Sequence, residues 1–325
     1  MRRCGRVTVW LLSVGACGGQ DPGSQQVIVT IPAGATVRIV AESLAAHGVI
    51  SSPTWFRIVS RLKGADRRLQ QGSYAFHRGE GASSAINALV SGRAVLQRFT
   101  VPEGFTLLDI AEAAQRNLGI PRDRFLAAAR DTAMLREFAI PGSTFEGFLR
   151  PETYLVATGI SAPKMVRAMA TTFRSSWKRE WDATMQAQGL DRRSLIILAS
   201  IVEAEAKADV DRPLIAAVYR NRLRRGMRLQ ADATVQYGIQ LATGSRKTRL
   251  FERDYGFVSD YNTYLHSGLP PGPIGAPGWK SVEAVLTPAV VPFLYFVAGP
   301  DGRHVFSRTY GEHLRAVRRV RQIVR

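Results

Sequence analysis

Seventeen residues near the middle of the chain, Asp191 to Lys207 (DRRSLIILASIVEAEAK), constrain the fold more than any other segment. Leu195, Leu198, Ala199, Val202 and Ala206 recur at i, i+3 and i+4, which predicts a helix with an apolar stripe, and Asp191 supplies its N-cap. Glu203 lies four residues after Ala199, at the edge of that stripe and one turn beyond Ser200. Glu205 falls about 160–200° away, beside Ile201. A carboxylate at the margin of an apolar stripe loses hydration, which is expected to raise its pKa toward the range a general acid needs. The same spacing allows Glu203 a plain ion pair with Lys207 on a wet face, and on spacing alone that is the better reading. A second helix is predicted from Asp211 through Pro213 to Arg225, stopped by Gly226.

A chain of 325 residues holds about two domains at ~150 residues each. With 46% hydrophobic and 22% charged residues it is not a disordered chain. Its only cysteines are Cys4 and Cys17, so residues 18–325 carry no disulfide framework, thiolate metal site or cysteine nucleophile. His47, His77, His266, His304 and His313 are scattered without ligand spacing; no metal site and no cofactor is expected. Lys and Arg number 44 against 26 Asp and Glu, a net charge of +18. Such a charge favours a polyanionic partner: nucleic acid, an anionic membrane surface or an anionic wall polymer.

The N-terminus narrows that choice. Arg2, Arg3 and Arg6 precede an apolar run from Val7 to Ala16, too short for a helix that spans ~30 Å of hydrocarbon. The run from Val285 to Ala298 is broken by Pro288 and Pro292. Residues 1–17 therefore read as an export signal or anchor. Val14-Gly15-Ala16-Cys17 resembles a lipobox, making Cys17 a lipidation candidate, and residues 18–26 read as a flexible tether. An uncleaved anchor, or an ordinary signal with an incidental cysteine, are the alternatives. All three place the bulk of the chain outside the cytoplasm, which counts against nucleic acid as a partner.

An internal echo appears at a spacing of 70 residues: Thr30-Ile-Pro-Ala-Gly-Ala-Thr36 against Thr100-Val-Pro-Glu-Gly-Phe-Thr106. Each copy reads as a short strand stopped by Pro, a turn at Gly, and a helix capped by Thr. Between them, Pro53–Leu62 reads as a helix with Trp55, Phe56, Val59 and Leu62 on one face. A strand at 72–76 and a helix from Ser83 to Val90 complete a small α+β module over residues 27–95. The remainder, 96–325, is expected to be mostly helical from 105 to 225 and loop-rich from 226. A hairpin at Phe293–Ala298 and Arg303–Ser307, then a basic helix from Thr309, close the chain.

Across the two central helices the chain reads ASIVEAEAKADVDRPLIAAVYRNRLRRGMRLQADATVQYG. Upstream stands Glu146-Gly-Phe-Leu-Arg-Pro-Glu-Thr-Tyr154. Downstream, in order, stand Tyr261-Asn-Thr-Tyr264, Gly268-Leu-Pro-Pro-Gly-Pro-Ile274, Pro277-Gly278 and Pro292-Phe-Leu-Tyr-Phe-Val297. This ordered set resembles the signature of the bacterial endolytic murein transglycosylases, the YceG-like family, over residues 28–322. The resemblance implies an α+β chain: a small LysM-like module, then a mostly helical, lysozyme-like catalytic domain with a C-terminal hairpin.

It also implies the chemistry, non-hydrolytic cleavage of the β-1,4 bond between N-acetylmuramic acid and N-acetylglucosamine, leaving a 1,6-anhydro end. Glu203 stands at the position the resemblance assigns to the catalytic acid and base. Gln230 and Asp232 are expected to bind sugar hydroxyls or orient Glu203, or else to form a loop turn. Tyr261, Asn262 and Tyr264 offer sugar stacking and an amide contact, or else packing. Glu205 reads as a supporting carboxylate. The implied partners are peptidoglycan strands, the membrane through the N-terminal anchor, and peptidoglycan synthases. The implied location is the extracytoplasmic side of the cell membrane, or the outer membrane if Cys17 is lipidated, because Gly18 gives no retention signal of the Asp kind. A glycoside hydrolase making reducing ends and a non-catalytic peptidoglycan-binding protein are the rival readings.

Overall fold

Both copies of the 70-residue echo fold as a strand, a glycine turn and a Thr-capped helix, although they belong to different parts of the chain. The computed structural model describes residues 26–323 apart from Ala33 and Ala94, so the export signal, Cys17 and residues 18–25 of the tether lie outside the described residues, while Gln26, expected in the tether, starts the first strand. The chain divides between Val95 and Leu96 into two units, each with its own hydrophobic core.

In the first unit β1 (Gln26–Ile31) pairs antiparallel with β2 (Gly72–His77), Val29 facing Tyr74. Gly34 turns the chain in the left-handed region, and the Thr36 hydroxyl accepts from the Ile39 amide at 3.4 Å to start α1 (Val37–Ala46). Helix α2 (Pro53–Leu62) begins with a Ser52 cap and Pro53 in its first turn; α3 (Ala82–Ser91) ends at left-handed Gly92. The order strand, helix, helix, strand, helix is as predicted. The inward face of α2 is not. Phe56 and Ser60 are buried, whereas Trp55 and Leu62 remain 58% and 79% exposed. The helix turns about 100° per residue, so burying Phe56 swings its neighbour Trp55 outward.

The second unit opens with β3 (Leu96–Thr100), the left-handed turn at Gly104, and α4 (Leu107–Leu118). Thr106 and Asp109 cap α4 reciprocally, at 3.2 and 2.9 Å. Short helices α5 (Arg122–Ala128) and α6 (Thr132–Glu137) lead to β4 (Thr153–Ala157), antiparallel to β3 with Tyr154 facing Phe99. Then follow α7 (Ala162–Ser175), α8 (Glu180–Ala187) and α9 (Arg192–Glu205). Helix α9 is capped by Asp191, whose carboxylate accepts from the Ser194 amide at 2.7 Å. Leu195 to Val202 are buried without interruption, so α9 has no wet face beneath its polar last turn.

Helices α10 (Arg212–Arg224), α11 (Asp232–Thr243) and α12 (Trp279–Leu286) all pack on α9. Helix α11 lies where loops were expected. Its glycine and polar residues hide the period, and Gly238 is there because a Cβ would come within 2.6 Å of the Ser259 hydroxyl. A hairpin of β5 (Tyr295–Ala298) and β6 (His304–Ser307), shorter than predicted, and helix α13 (Tyr310–Ile323) close the unit. Helices with small antiparallel sheets make the α+β class expected. Among the described residues no helix is long and apolar enough to cross a membrane.

Gly147 ties the upstream motif to α9. It is left-handed, with φ of 78°, and a Cβ there would come within 2.5 Å of Pro273 and 2.9 Å of Ile196. Gly147→Ala is expected to cost about 2–5 kcal/mol, combining left-handed strain of about 1–2 with overpacking of about 1–3. Gly119→Ala, also left-handed but with open space around it, should cost only the strain. Urea unfolding midpoints of the two variants check the difference.

Candidate active site

Helix α9 ends in two carboxylates with one residue between them, and helical geometry sends them about 200° apart. They meet opposite surroundings. The Glu203 side chain is 7% exposed, and its Oε2 accepts from the Gly278 amide at 3.0 Å and the Ser281 hydroxyl at 2.9 Å. Arg212 Nη1 lies 3.0 Å from the same oxygen, in a side chain itself 10% exposed. Arg212 also reaches Ser281 and Asp209. The ion pair expected with Lys207 is therefore made with Arg212 instead. Gly278 is the N-cap of α12, so Glu203 also sits at the positive end of that helix. Beside it, Glu103 packs over Gly278; burial and then the Glu203 charge push its carboxyl above the usual range. Glu203 thus ties α9 to α10 and α12, with three donors converging on one of its oxygens.

Glu205 faces a cavity of about 440 Å³ on the other side of the helix. Burial pushes its carboxyl up to about 7, with the charge of Asp232 adding to the rise. Hydrogen bonds from the Tyr219 hydroxyl and the Ala233 amide, and the Arg222 charge, act in the opposite direction. This is the environment that was expected for Glu203. Asp232, at the start of α11, lines the same cavity and accepts from the hydroxyls of Tyr264 at 2.6 Å and Tyr255 at 3.4 Å. Burial and Asp232 together raise the Tyr264 pKa, so its hydroxyl stays a donor. Gln230 lines the cavity with an exposed side chain and a strained left-handed backbone, φ 49°.

Two of the predicted sugar contacts lie elsewhere. Tyr261 packs edge-on against Tyr237 at 4.8 Å, and the Tyr237 hydroxyl donates to buried Glu146 at 2.8 Å. Asn262 is fully buried. Its amide nitrogen donates to the carbonyls of Tyr255 and Phe257 at 3.0 and 2.8 Å, and its oxygen accepts from the Tyr264 amide at 2.9 Å. Its polar atoms are spent on shaping the loop that presents Tyr264.

The far wall of the cavity comes from residues 295–313, expected as a hairpin and a basic helix but not as part of the site. Tyr295 stacks on His313 at 5.4 Å and 23°, Tyr310 lies 5.8 Å from Tyr295, and the Arg222 guanidinium sits 5.2 Å above the Tyr295 ring. Burial lowers the His313 pKa, with Arg222 contributing, which keeps the ring neutral. His304, on the same wall, is held by Asp211: ring Nδ1 and backbone amide lie 2.9 and 2.8 Å from one carboxylate oxygen. The available signal was the i, i+3 spacing of Tyr310 and His313, masked by the arginines around it.

Residues 29–319 match the YceG-like family. The chain is 33% identical over 304 residues to the endolytic murein transglycosylase of Bacillus subtilis strain 168, covering 89% of this chain and 83% of that one. It is 26% identical over 319 residues to that of Streptococcus pneumoniae strain D39, spanning 90% of this chain but 58% of the relative's length. The crystal structure of a YceG-like protein from Listeria monocytogenes superposes with a TM-score of 0.62 at 28% identity, over 90% of this chain and 99% of that one. These relatives, by name, define a class of enzymes acting on cell-wall glycan. The chain belongs to the YceG-like family.

Because Asp232 raises the proton affinity of Glu205, Asp232→Asn should move the Glu205 titration below its midpoint of about 7. The carboxyl ¹³C shift of Glu205, followed from pH 4 to 9, checks this; an unmoved midpoint would leave burial as the sole cause.

Proposed function

We propose that the chain is an endolytic lytic transglycosylase of peptidoglycan and that Glu205, not Glu203, is its acid and base. One observation carries the choice: Glu205 faces the cavity with a carboxyl that burial raises to about 7, while Glu203 is fixed by three donors on one oxygen. Protonated Glu205 donates to the glycosidic oxygen as the bond to the muramyl anomeric carbon breaks and oxocarbenium character develops there. The resulting carboxylate takes the proton of the muramyl 6-hydroxyl, whose oxygen closes on the anomeric carbon. The 1,6-anhydro product forms, Glu205 regains its proton, and no water is consumed.

Asp232 keeps Glu205 protonated near neutral pH, with Tyr255 and Tyr264 holding Asp232 in place. Tyr295, Tyr310 and His313 offer flat faces to sugar rings, and Gln230 offers an amide to their hydroxyls. The closeness of Asp232 to Glu205 also supports a hydrolase reading, since a second carboxylate activates water in such enzymes. Product mass separates the two, because the anhydro end is lighter by one water. In the same proposal the first unit is LysM-like. The chain is held at the extracytoplasmic face of the membrane by its N-terminal segment or by lipid on Cys17. There it ends nascent strands beside peptidoglycan synthases.

Digestion of purified murein by residues 25–325, with mass analysis of the products, tests the reading. Glu205→Gln should lower turnover about 10²–10⁴-fold. Its fold should be as stable or more so at pH 8, since a carboxyl whose folded pKa is raised loses stability as pH climbs from its unfolded value toward about 7. Glu203→Gln should instead lower stability by about 3 kcal/mol, leaving Arg212 with only the more exposed Asp209 as counter-ion, and should retain turnover in the folded fraction. Loss of turnover in Glu203→Gln at unchanged stability, with Glu205→Gln active, would return the acid role to Glu203.

A further inference from the structure

The first unit carries an exposed apolar stripe that its own core does not use. Trp55, Ile58 and Leu62 stand at i, i+3 and i+7 on α2, exposed by 58%, 46% and 79%. Arg57 and Arg61 run along one flank of the stripe. Beside it a groove of about 470 Å³, between the start of α1 and α2, is lined by Val37, Ile58 and Leu62, with Arg38, Arg57 and Arg61 outnumbering its single acid, Asp66. Over residues 26–95 there are eight Lys and Arg against three Asp and Glu.

We propose that this face docks on an anionic lipid bilayer, with α2 lying in the headgroup layer. An interfacial helix needs an apolar face with an amphipathic aromatic and cations beside it, which is how Trp55, Ile58, Leu62 and the two arginines are arranged. The arginine stems lie along apolar surface while their heads reach lipid phosphates. Reach agrees: on the reading that Cys17 is the anchor, eight residues separate it from β1, and so short a tether spans at most about 30 Å. Docking would fix the first unit at the membrane, a role separate from the chemistry at Glu205.

The test is co-flotation of residues 25–325, which contain both cores, with vesicles. Vesicles of phosphatidylglycerol and phosphatidylethanolamine should bind the protein, and phosphatidylcholine alone should not. Trp55→Ser, Ile58→Ser and Leu62→Ser together should weaken binding at least tenfold with an unchanged unfolding midpoint, because all three are exposed. Arg57→Gln with Arg61→Gln should weaken it comparably at low salt. Both variants should digest soluble glycan at the wild-type rate, so failure here is distinct from failure of the catalytic reading. Unchanged flotation of the triple variant would overturn the proposal and attribute binding to net charge alone. So would wild-type binding to insoluble murein but not to vesicles, or self-association in solution that the serine substitutions abolish.

Discussion

The buried pair of Glu203 and Arg212 sets the direction of everything around it. An ion pair this enclosed gives up the hydration of both charges, and only additional donors at good geometry offset that. Here the Gly278 amide and the Ser281 hydroxyl supply them, on the same oxygen that faces Arg212. The consequence is positional. Glu203 clamps the last turn of α9 against α10 and α12, so the side chain two residues on is turned to the opposite side, and Glu205 has one place to go. A carboxylate held for structure thereby aims one available for chemistry.

The short turn that follows α9 does the same for the opposite wall. Asp211 and Arg212 are consecutive, yet they reach in different directions. Arg212 holds Glu203, and Asp211 holds the ring and backbone of His304 on β6. Both ends of the cavity are thus fixed from one two-residue step, with Glu205 on one side and the Tyr295–His313 stack on the other. Asp232 enters from a third element, α11, and is fixed by tyrosines rather than by cations. That difference matters electrostatically: a hydroxyl satisfies its oxygens without neutralising it, so its charge still acts on Glu205.

Local chemistry made much of this legible in advance. Caps and glycine turns are decided within four residues, so Thr36, Thr106 and Asp191 could be read as helix starts from the sequence alone. Gly34 and Gly104 could likewise be read as turns. The period of α9 was legible too, as was the fact that Glu203 and Glu205 point apart. Which of them faces open space was not. That depends on Gly278 and Ser281, some 75 residues away in sequence, and on burial of the whole helix from Leu195 to Val202, which erases the distinction between stripe and wet face. Asn262 and Tyr261 stood in a sequence that resembles a binding motif, but a buried amide with its polar atoms already bonded has nothing left to offer a sugar. The aromatic wall lay hidden among arginines, since α13 reads by composition as a solvated basic helix and only the β5–β6 hairpin brings Tyr295 against it.

A reaction whose nucleophile belongs to the substrate places particular demands on a site. It needs one group that gives a proton and takes one back, and its resting proton affinity must lie near the working pH for both halves to proceed. A solvated glutamate is too acid to hold a proton there. Partial burial beside an uncompensated aspartate lifts Glu205 to about 7. The Tyr219 hydroxyl, the Ala233 amide and the more distant Arg222 charge limit the rise, so the anion formed midway is also tolerated. The opposed influences on this one carboxyl are what acid and base service by a single residue requires. The Glu203–Arg212 pair, by holding its cation away from Glu205, allows that balance to stand.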